Sequence, residues 1–299
     1  MTTKTPAWQP THLDKVYWPE AGLTKGDLID YYHKIALFML PYLKDRPMVM
    51  NRFPEGVEHG SFFQKNIIDT HVPKFLKLVT IPARTIKKDV HYIVCNNKES
   101  LFYMANFGAI ELHPWASRLQ WLEKPDFMIF DLDPGEKTSF VDVIEAARAV
   151  KEVLEELDIE SHPKTSGKHG LHIYVPLCAK YSYEAVRSLA HQVAREVVRR
   201  HPKLSSLEKH PKDRQDKIFI DYLRNAFGQT AIAPYGVRAT PTATVSTPLE
   251  WSEVEAGLHP TQFTIQTIFR RLEQKGDLWR SVLGRGADLN KAMKSLYKG

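Results

Sequence analysis

Two aspartates lie one residue apart at the end of an apolar run, FMIFDLDPGE, residues 127–136. Side chains alternate along a strand, so Asp131 and Asp133 face the same side, about 7 Å apart along the backbone. Two carboxylates so placed repel each other unless water at the end of the strand or a divalent cation offsets their charge. For an isolated pair of this kind, a solvated strand end is the commoner explanation.

A third carboxylate changes the interpretation. Asp221 ends another apolar alternation, KIFIDYLRN. If the two strands are neighbours in one sheet, the three aspartates converge. Three carboxylates suit one or two Mg²⁺ or Mn²⁺ ions, and two such ions can activate a 3′-hydroxyl and stabilise a leaving pyrophosphate.

A competing hypothesis is a phosphatase. The segment IFDLDP resembles the opening motif of haloacid-dehalogenase-type phosphatases, in which the first aspartate is the nucleophile. Those enzymes usually continue with Gly-Thr, whereas this chain has Pro134 and Gly135. Their motif also usually lies near the start of the domain, so the context disfavours this interpretation.

The segment HPKTSGKHGLHIYVPL contains groups that bind a triphosphate. Ser166 and Gly167 can make a tight turn whose backbone N–H groups face an anion, and Lys168 and His169 add positive or donor groups. His172 follows on the next strand. A lone histidine on a strand is more often structural, but this one directly follows a glycine-rich basic turn.

Composition limits the classes of protein. The 299 residues are 43% hydrophobic, enough for one large domain or two lobes, and no stretch approaches the roughly 20 apolar residues of a membrane span. We see no signal peptide. Cys95 and Cys178 lack metal-site or disulfide-framework spacing, which indicates a reducing cytoplasm. Lys and Arg outnumber Asp and Glu by 41 to 35, a modest excess that permits a basic groove.

Periodicity predicts a mixed α/β (α+β) protein with two α/β lobes, about 1–115 and 116–299, meeting at a cleft in one compact unit. The predicted helices cover about 24–43, with Pro41 in the last turn, 139–154, 182–200 and 261–274, the last stopped by an αL Gly276. The predicted strands are PMVMNRF, KLVTIPA, VHYIVC, SLFYMA, the motif strand, GLHIYVPL and KIFIDYL.

Taken in order, D-x-D, S-G-x-x-G-x-H and the aspartate of IFIDYLRN resemble the polymerase domain of bacterial ATP-dependent DNA ligase D, of the archaeo-eukaryotic primase superfamily. The segments DKVYWPEAGLTKGDLIDYY, SFFQKN, GAIELHPW and NAFGQTAIAPYGVRATPTATVSTPLEW extend the resemblance over nearly the whole chain. It implies a primase-like fold in which residues 1–299 form a single catalytic domain around a central cleft.

The resemblance also implies roles for individual residues. The catalytic and metal-binding triad would be Asp131, Asp133 and Asp221. Nucleotide binding would fall to Ser166, Lys168, His169, His172, His113 and Arg238. DNA would be contacted by Lys15, Lys25, Phe62 and Phe63, the lysines at a downstream 5′-phosphate and the aromatic pair against bases. From spacing alone, the phenylalanines are better explained as core and the lysines as a solvated capping region.

The implied activity is a DNA-directed nucleotidyltransferase that adds ribo- or deoxynucleotides to primer 3′ ends at gaps or broken, 5′-phosphorylated DNA ends. It would use two Mn²⁺ or Mg²⁺ ions per site and an NTP or dNTP. By the same resemblance it would act in bacterial non-homologous end joining, beside Ku and a DNA ligase, in the cytoplasm at the nucleoid and without a membrane.

Two residues depart from the family pattern: His169 stands where relatives often have lysine, and His12 where they often have asparagine. Arg84–Asp89 is a candidate end-contacting loop, with an ordinary exposed hairpin equally plausible. A catalytically silent DNA-end-binding scaffold remains open as the alternative function.

Overall fold

The computed structural model describes residues 9–68, 72–84, 88–214 and 216–296. The strands are β1 (Val16–Trp18), β2 (Leu23–Thr24), β3 (Pro47–Arg52), β4 (Phe62–Gln64), β5 (Lys77–Pro82), β6 (Asp89–Val94), β7 (Ala109–Pro114), β8 (Phe127–Asp133), β9 (His162–Thr165), β10 (Leu171–Pro176), β11 (Ser205–Ser206) and β12 (Ile218–Asp221). The helices are α1 (Lys25–Leu43), α2 (Lys98–Asn106), α3 (Phe140–Glu156), α4 (Tyr183–Arg200), α5 (Ile268–Lys275) and α6 (Leu289–Leu296).

The first helix and the first sheet form one layer pair. Thr24 caps α1 through a reciprocal capping box with Asp27, and the helix runs through Pro41 to end two residues later. In the sheet, β3 pairs with β4, β6 and β7, and β5 extends it beyond β6. The strands predicted at PMVMNRF, KLVTIPA and VHYIVC are confirmed.

The segment SLFYMA is a helix, so the prediction of a strand there was wrong. It forms most of α2, and the side chain of Asn97 caps the helix by accepting a hydrogen bond from a backbone N–H of the first turn at 2.8 Å. Leu101, Met104 and Ala105 are fully buried at helical spacing, and α2 packs against α1. The cap and this packing override the strand preference of the aromatic residues.

The second sheet carries the motif strand at its centre, in the order β11–β12–β8–β10–β9. Asp131 on β8 lies directly opposite both Asp221 on β12 and His172 on β10, and His172 lies opposite Lys164 on β9. Residues directly opposite one another share a face of the sheet. Four polar side chains therefore form one row across this face.

Two amphipathic helices cover this sheet. The helices predicted over 139–154 and 182–200 are confirmed: the capping box of Ser139 and Asp142 begins α3, and Ser182 caps α4. Both helices contact the sheet through buried apolar faces. Leu132 and Ile220 alternate along β8 and β12 with the polar residues of this row, and both are fully buried.

The helix predicted from residue 261 begins only at Ile268. Phe263 and Ile265 pair in extended form with the chain near Val245, which prevents their backbone from turning helical. Gly276 ends α5 with a φ of 67°, but its ψ of −160° lies outside the αL region. A further helix, α6, follows it, so α5 is not the last helix.

The chain after β12 returns to both sheets. The amide of Ala233 donates to Leu112 of β7 at 2.9 Å, and the amide of Leu249 donates to Pro163 of β9 at 3.0 Å. One continuous cluster of buried apolar residues includes members of both sheets. The lobe boundary at residue 115 and the single domain over 1–299 stay predictions. Among the described helices, none has the length and apolar character needed to cross a bilayer.

A buried arginine ties α1 to the motif strand. The guanidinium of Arg46 donates to the carbonyl oxygens of Tyr42 at 2.9 Å and Ala116 at 2.6 Å, and pairs with the Asp126 carboxylate. It also lies over the ring of Phe127, 4.7 Å from the centroid. Asp126 immediately precedes β8, so Arg46 fixes the start of the strand that carries the two aspartates.

Replacing Arg46 with methionine should destabilise the protein by about 3–5 kcal/mol, because it leaves Asp126 and two carbonyls without their buried donor. Arg118→Met is the matched control. Arg118 contacts the same carboxylate at 2.8 Å but is partly exposed, so its loss should cost no more than about 1 kcal/mol. Urea unfolding measures both, and equal losses would contradict the role assigned to Arg46.

Candidate active site

A cavity of about 520 Å³ lies between the two sheets and contains most of the residues singled out in the sequence. Its lining includes Asn51, Phe63, Glu111, His113, Asp131, Asp133, Ser166, Lys168, His169, Gly170, His172, Arg214, Arg224 and Arg238. The cavity thus brings the D-x-D strand, the S-G-x-x-G turn and residues of β7 to one place.

Asp131 and Asp133 line one end of this cavity, and Asp221, which is outside the lining, converges on them. One ligand atom from each of Asp131, Asp133 and Asp221 lies within 4.8 Å of the other two. The pairing of β12 with β8 accounts for this, because it sets Asp221 opposite Asp131 and Asp133 lies two residues further along the same face. The convergence inferred from neighbouring strands is therefore present.

Arg224 supplies the cation that the sequence left unidentified. Its Nε lies 3.1 Å from Asp131 Oδ2 and 3.1 Å from Asp221 Oδ2. It belongs to a short 3₁₀ turn, which the side chain of Asn225 fastens to β8 through the N–H and C=O of Ile129, at 2.8 and 2.7 Å. Its place three residues after Asp221 was the available sequence signal, and we missed it.

His172 contacts the triad from the other side. Its Nε2 lies 3.1 Å from Asp131 Oδ1, and its buried Nδ1 has no partner in the described part of the chain. Burial lowers the pKa of His172 to about 4, although Asp131 acts in the opposite direction. The imidazole is therefore neutral at pH 7, and its unpaired nitrogen remains available to a ligand entering the cavity.

The environment separates the pKa values of the three carboxyl groups. Burial and the neighbouring charge of Asp131 raise the pKa of Asp133 to about 7, and burial also raises that of Asp221. For Asp131 burial acts upward too, but His172 and Arg224 outweigh it and bring its pKa below the usual range. Among the described residues, Arg224 is the one lysine or arginine in ion-pair contact with the triad, which leaves a local excess of negative charge.

The S-G-x-x-G turn is organised by its own serine. The Ser166 hydroxyl oxygen accepts hydrogen bonds from the backbone N–H groups of Lys168 at 3.2 Å and Gly170 at 3.0 Å. With its lone pairs so used, the hydroxyl proton is free to be donated to an anion. Gly170 is obligatory, since a Cβ there would lie 2.2 Å from the carbonyl oxygen of Leu132.

The Thr- and Ser-rich stretch supports this turn. The Thr244 hydroxyl donates to the carbonyl of Gly167, and the Ser246 hydroxyl donates to the carbonyl of Thr165 at 2.7 Å. Ser246 also accepts from the fully buried ammonium of Lys164. Residues 244–246, which lie outside the helices and strands named above, therefore hold the turn in place.

Glu111, which the sequence analysis did not single out, contacts several of the basic side chains that line the cavity. Its carboxylate lies 3.2 Å from Lys168 Nζ, 3.2 Å from Arg238 Nε and 3.5 Å from His113 Nε2, and it accepts a hydrogen bond from Asn51 at 3.0 Å. Burial raises its pKa, but His113, Arg238 and Lys168 together lower it below the usual range. Glu111 is two residues before His113 on β7, so strand alternation could have found it.

Spacing alone favoured a core position for the two phenylalanines, and the structure shows that this was wrong. Phe62 and Phe63 are 48% and 65% exposed. Phe63 lies at the cavity and meets the ring of His113 edge-on, with centroids 5.6 Å apart. Phe62 lies outside the cavity lining, beneath the guanidinium of Arg52 at 5.1 Å. His169, also at the cavity, is exposed.

The lysines at the start of the chain form a separate basic site outside this cavity. The backbone N–H of Lys25 donates to the carbonyl of Lys15 at 2.8 Å, which places the two residues side by side. Lys15 pairs with exposed Glu55 at 2.6 Å, while Lys25 is buried and donates to the carbonyl of Thr11 at 2.7 Å. Lys25 is therefore no solvated capping residue. Of the candidate loop Arg84–Asp89, residues 85–87 lie outside the described residues.

The donor set fits a divalent cation. The triad offers only carboxylate oxygens, the ligands that Mg²⁺ and Mn²⁺ prefer, and it carries more negative charge than Arg224 neutralises. A carboxylate cluster beside a serine-organised anion turn is the arrangement of a nucleotidyltransferase.

Comparison with known proteins identifies the family. The family profile described as "LigD, primase-polymerase domain" matches residues 24–279. The chain is similar to the bifunctional non-homologous end joining protein LigD of Bacillus subtilis, with 34% identity over 91% of the chain and 43% of the relative. It is also similar to the multifunctional LigD of Mycolicibacterium smegmatis, with 33% identity over 90% of the chain and 35% of the relative.

The structural comparison agrees. The polymerase domain of Mycobacterium tuberculosis ligase D, solved in complex with DNA, superposes with a TM-score of 0.87 at 30% identity, over 95% of this chain and all of that one. The chain belongs to the LigD primase-polymerase domain family; it has the primase-like fold and is a nucleotidyltransferase of the polymerase type. It spans less than half the length of the curated relatives named here.

The crowding of carboxylates predicts that Asp133→Asn stabilises the metal-free protein, by on the order of 2 kcal/mol at pH 8. A carboxyl group whose pKa rises to about 7 on folding costs stability progressively as pH rises from its unfolded-state pKa to that value and no further above it, so the gain should shrink at pH 5. Thermal unfolding in EDTA at both pH values measures it.

The control is Asp30→Asn, which removes an exposed carboxylate paired with Lys34 and should change stability by no more than about 0.5 kcal/mol. Stabilisation of the parent by added Mn²⁺ should be larger than that of Asp133→Asn. A destabilised Asp133→Asn protein at pH 8 would show that the triad is not electrostatically strained.

Proposed function

We propose that this chain extends the 3′ end of a primer strand on a DNA template at gaps and broken ends. The observation that supports this most is that a serine-organised anion turn and Asp131 and Asp133, two of three converging carboxylates, line one cavity. Membership of the polymerase family fixes the reaction class. The substrate, residue roles and partners that follow are our proposals.

In this proposal the triphosphate lies along the turn, where Ser166 donates its hydroxyl proton to a phosphate oxygen. Lys168 and Arg238, which both contact Glu111, would turn to the phosphates, and Glu111 positions the two side chains for this. His169 adds a donor beside the turn, and His172 would donate to the phosphate from Nδ1 when that nitrogen carries the proton.

The chemical step is attack of the primer 3′-oxygen on the α-phosphorus, with pyrophosphate leaving. Asp221 takes part in removing the hydroxyl proton, consistent with burial raising its pKa. Two divalent ions, Mn²⁺ or Mg²⁺, held by Asp131, Asp133 and Asp221, would supply charge stabilisation to the attacking and leaving oxygens. Arg224 then keeps the carboxylates in place and limits their mutual repulsion.

Two further groups would hold the nucleotide and the DNA. Phe63, exposed at the cavity and set against His113, is placed to stack on a base, while His113 faces the nucleotide sugar. Phe62 adds a second exposed ring next to it. Lys15 and Lys25 would hold the 5′-phosphate of a downstream strand, since two adjacent cations favour a terminal phosphate over an internal one.

The cellular setting comes from the relatives. Two are named non-homologous end joining proteins, and the superposed domain was solved with DNA. We propose that this chain acts on DNA ends in a bacterial cytoplasm, at the nucleoid, beside Ku and a DNA ligase. We also propose that residues 1–299 act as one catalytic domain, with lobes about 1–115 and 116–299.

Primer extension tests the proposal. With a labelled primer on a gapped, 5′-phosphorylated template, the parent should add the nucleotide that matches the template in the presence of Mn²⁺. Asp131→Asn should reduce the rate by at least about two orders of magnitude, while Asp30→Asn should not change it. Parallel reactions with ATP and dATP measure the preference for the sugar.

No addition by the parent with any divalent metal, while DNA binding is intact, would contradict the proposal and favour the alternative of an end-binding scaffold. Extension that survives in Asp131→Asn would contradict the role of the triad.

A further inference from the structure

A second groove, of about 430 Å³, lies on the surface beyond the triad. Its walls come from the end of β5, the N-terminal half of α4 and the chain after β12, and the residues that matter are Arg84, Arg187, His191, Tyr222 and Phe227. None of these takes part in the function proposed above. The groove is open to solvent along its length.

Two planar polar groups in this groove are each backed by an aromatic ring. The guanidinium carbon of Arg84 lies 3.6 Å from the centroid of the Phe227 ring. The imidazole of His191 stacks on Tyr222, with centroids 4.5 Å apart and an interplanar angle of 23°. Arginine and histidine planes held flat in this way are surfaces on which unpaired nucleobases stack.

The charge of the groove is suited to a polyanion. Arg187 and Arg195, both exposed, have no acidic side chain within ion-pair distance in the described ranges. After burial, the charges of these two arginines lower the pKa of His191. The opposing charges are Glu123, which already pairs with Arg84 at 2.5 Å, and Glu184 in the groove lining.

The groove is joined to the catalytic carboxylates by a short, fixed segment. Tyr222 directly follows Asp221, and the 3₁₀ turn Leu223–Asn225 separates it from Ala226 and Phe227. The contacts of Arg224 and Asn225 with β8 keep this turn rigid. The groove therefore begins at the residue next to Asp221 in the chain, and the proposed partner of Asp221 is the primer hydroxyl.

We propose that this groove binds unpaired nucleotides of the primer strand just upstream of its 3′ end. The bases stack against the planes of Arg84 and His191, and Arg187 contacts a phosphate. The choice of the primer rather than the template rests on the proposed function, because it depends on Asp221 meeting the 3′-hydroxyl. The groove would let an unpaired 3′ tail be held before it has paired with a template.

The test uses the whole chain and a DNA duplex that ends in an unpaired 3′ tail. Binding is followed by fluorescence anisotropy in EDTA, without nucleotide, so that catalysis plays no part. Arg187→Ala and His191→Ala should each weaken binding by at least about fivefold, and Arg187→Ala should lower the salt dependence by about one phosphate contact. Arg199→Ala, which removes an exposed arginine at the other end of α4, should bind as the parent does.

Cross-linking locates the strand. A 5-bromodeoxyuridine placed two to four nucleotides from the 3′ end of the tail should cross-link, on irradiation, to peptides containing 183–191 or 222–227. The same label in the opposite strand should not. Parent-like affinity in both groove variants, or cross-links only elsewhere, would overturn the proposal.

The two proposals fail differently. If the parent extends primers and both groove variants bind the tail normally, the proposed function stands and the groove proposal is overturned. A parent that never extends primers loses the proposed function, whatever the binding assay shows. Cross-links to the groove that form only when the 5-bromodeoxyuridine is in the template strand would overturn the assignment of the groove to the primer strand.

Discussion

The site depends on the register of three strands. Antiparallel pairing sets Asp221, Asp131 and His172 side by side across one face of the second sheet, and a slip of one residue would turn every one of them to the opposite face. Two contacts hold that register: Arg46 binds Asp126 just before the motif strand, and Asn225 binds Ile129 within it. The positions of the carboxylates therefore follow from backbone pairing rather than from flexible loops.

The charged residues of the site form two sets, one with an excess of negative charge and one with an excess of positive charge. At one end three carboxylates share a single arginine, Arg224, which leaves the negative charge that a divalent cation can neutralise. At the other end one buried carboxylate, Glu111, is shared by Lys168 and Arg238, which leaves the positive charge that a phosphate can neutralise. A metal–triphosphate complex carries both complements. The two ends of the cavity thus match the charge pattern of the ligand that we propose.

Much of this could be predicted, and the exceptions have physical causes. Strand alternation located the D-x-D pair and Asp221, and α1, α3 and α4 lie close to where helices were predicted, α1 and α3 from caps and apolar spacing. SLFYMA was misassigned because aromatic residues favour strands, while Asn97 and contact with α1 decided for a helix. Arg224 and Glu111 were missed because their significance lies in partners remote in sequence. The exposure of Phe62 and Phe63 could not be inferred from spacing, which cannot distinguish an apolar residue kept for binding from one kept for packing.

The central claim is that the triad is a divalent-metal site, and direct metal binding tests it most simply. Mn²⁺ titration followed by electron paramagnetic resonance, without nucleotide or DNA, counts the ions bound per chain. The parent should bind at least one ion, Asp30→Asn should match it, and Asp221→Asn should bind at least about tenfold more weakly. Equal Mn²⁺ binding by Asp221→Asn and the parent would contradict the claim, because the converging carboxylates would then not be what holds the metal.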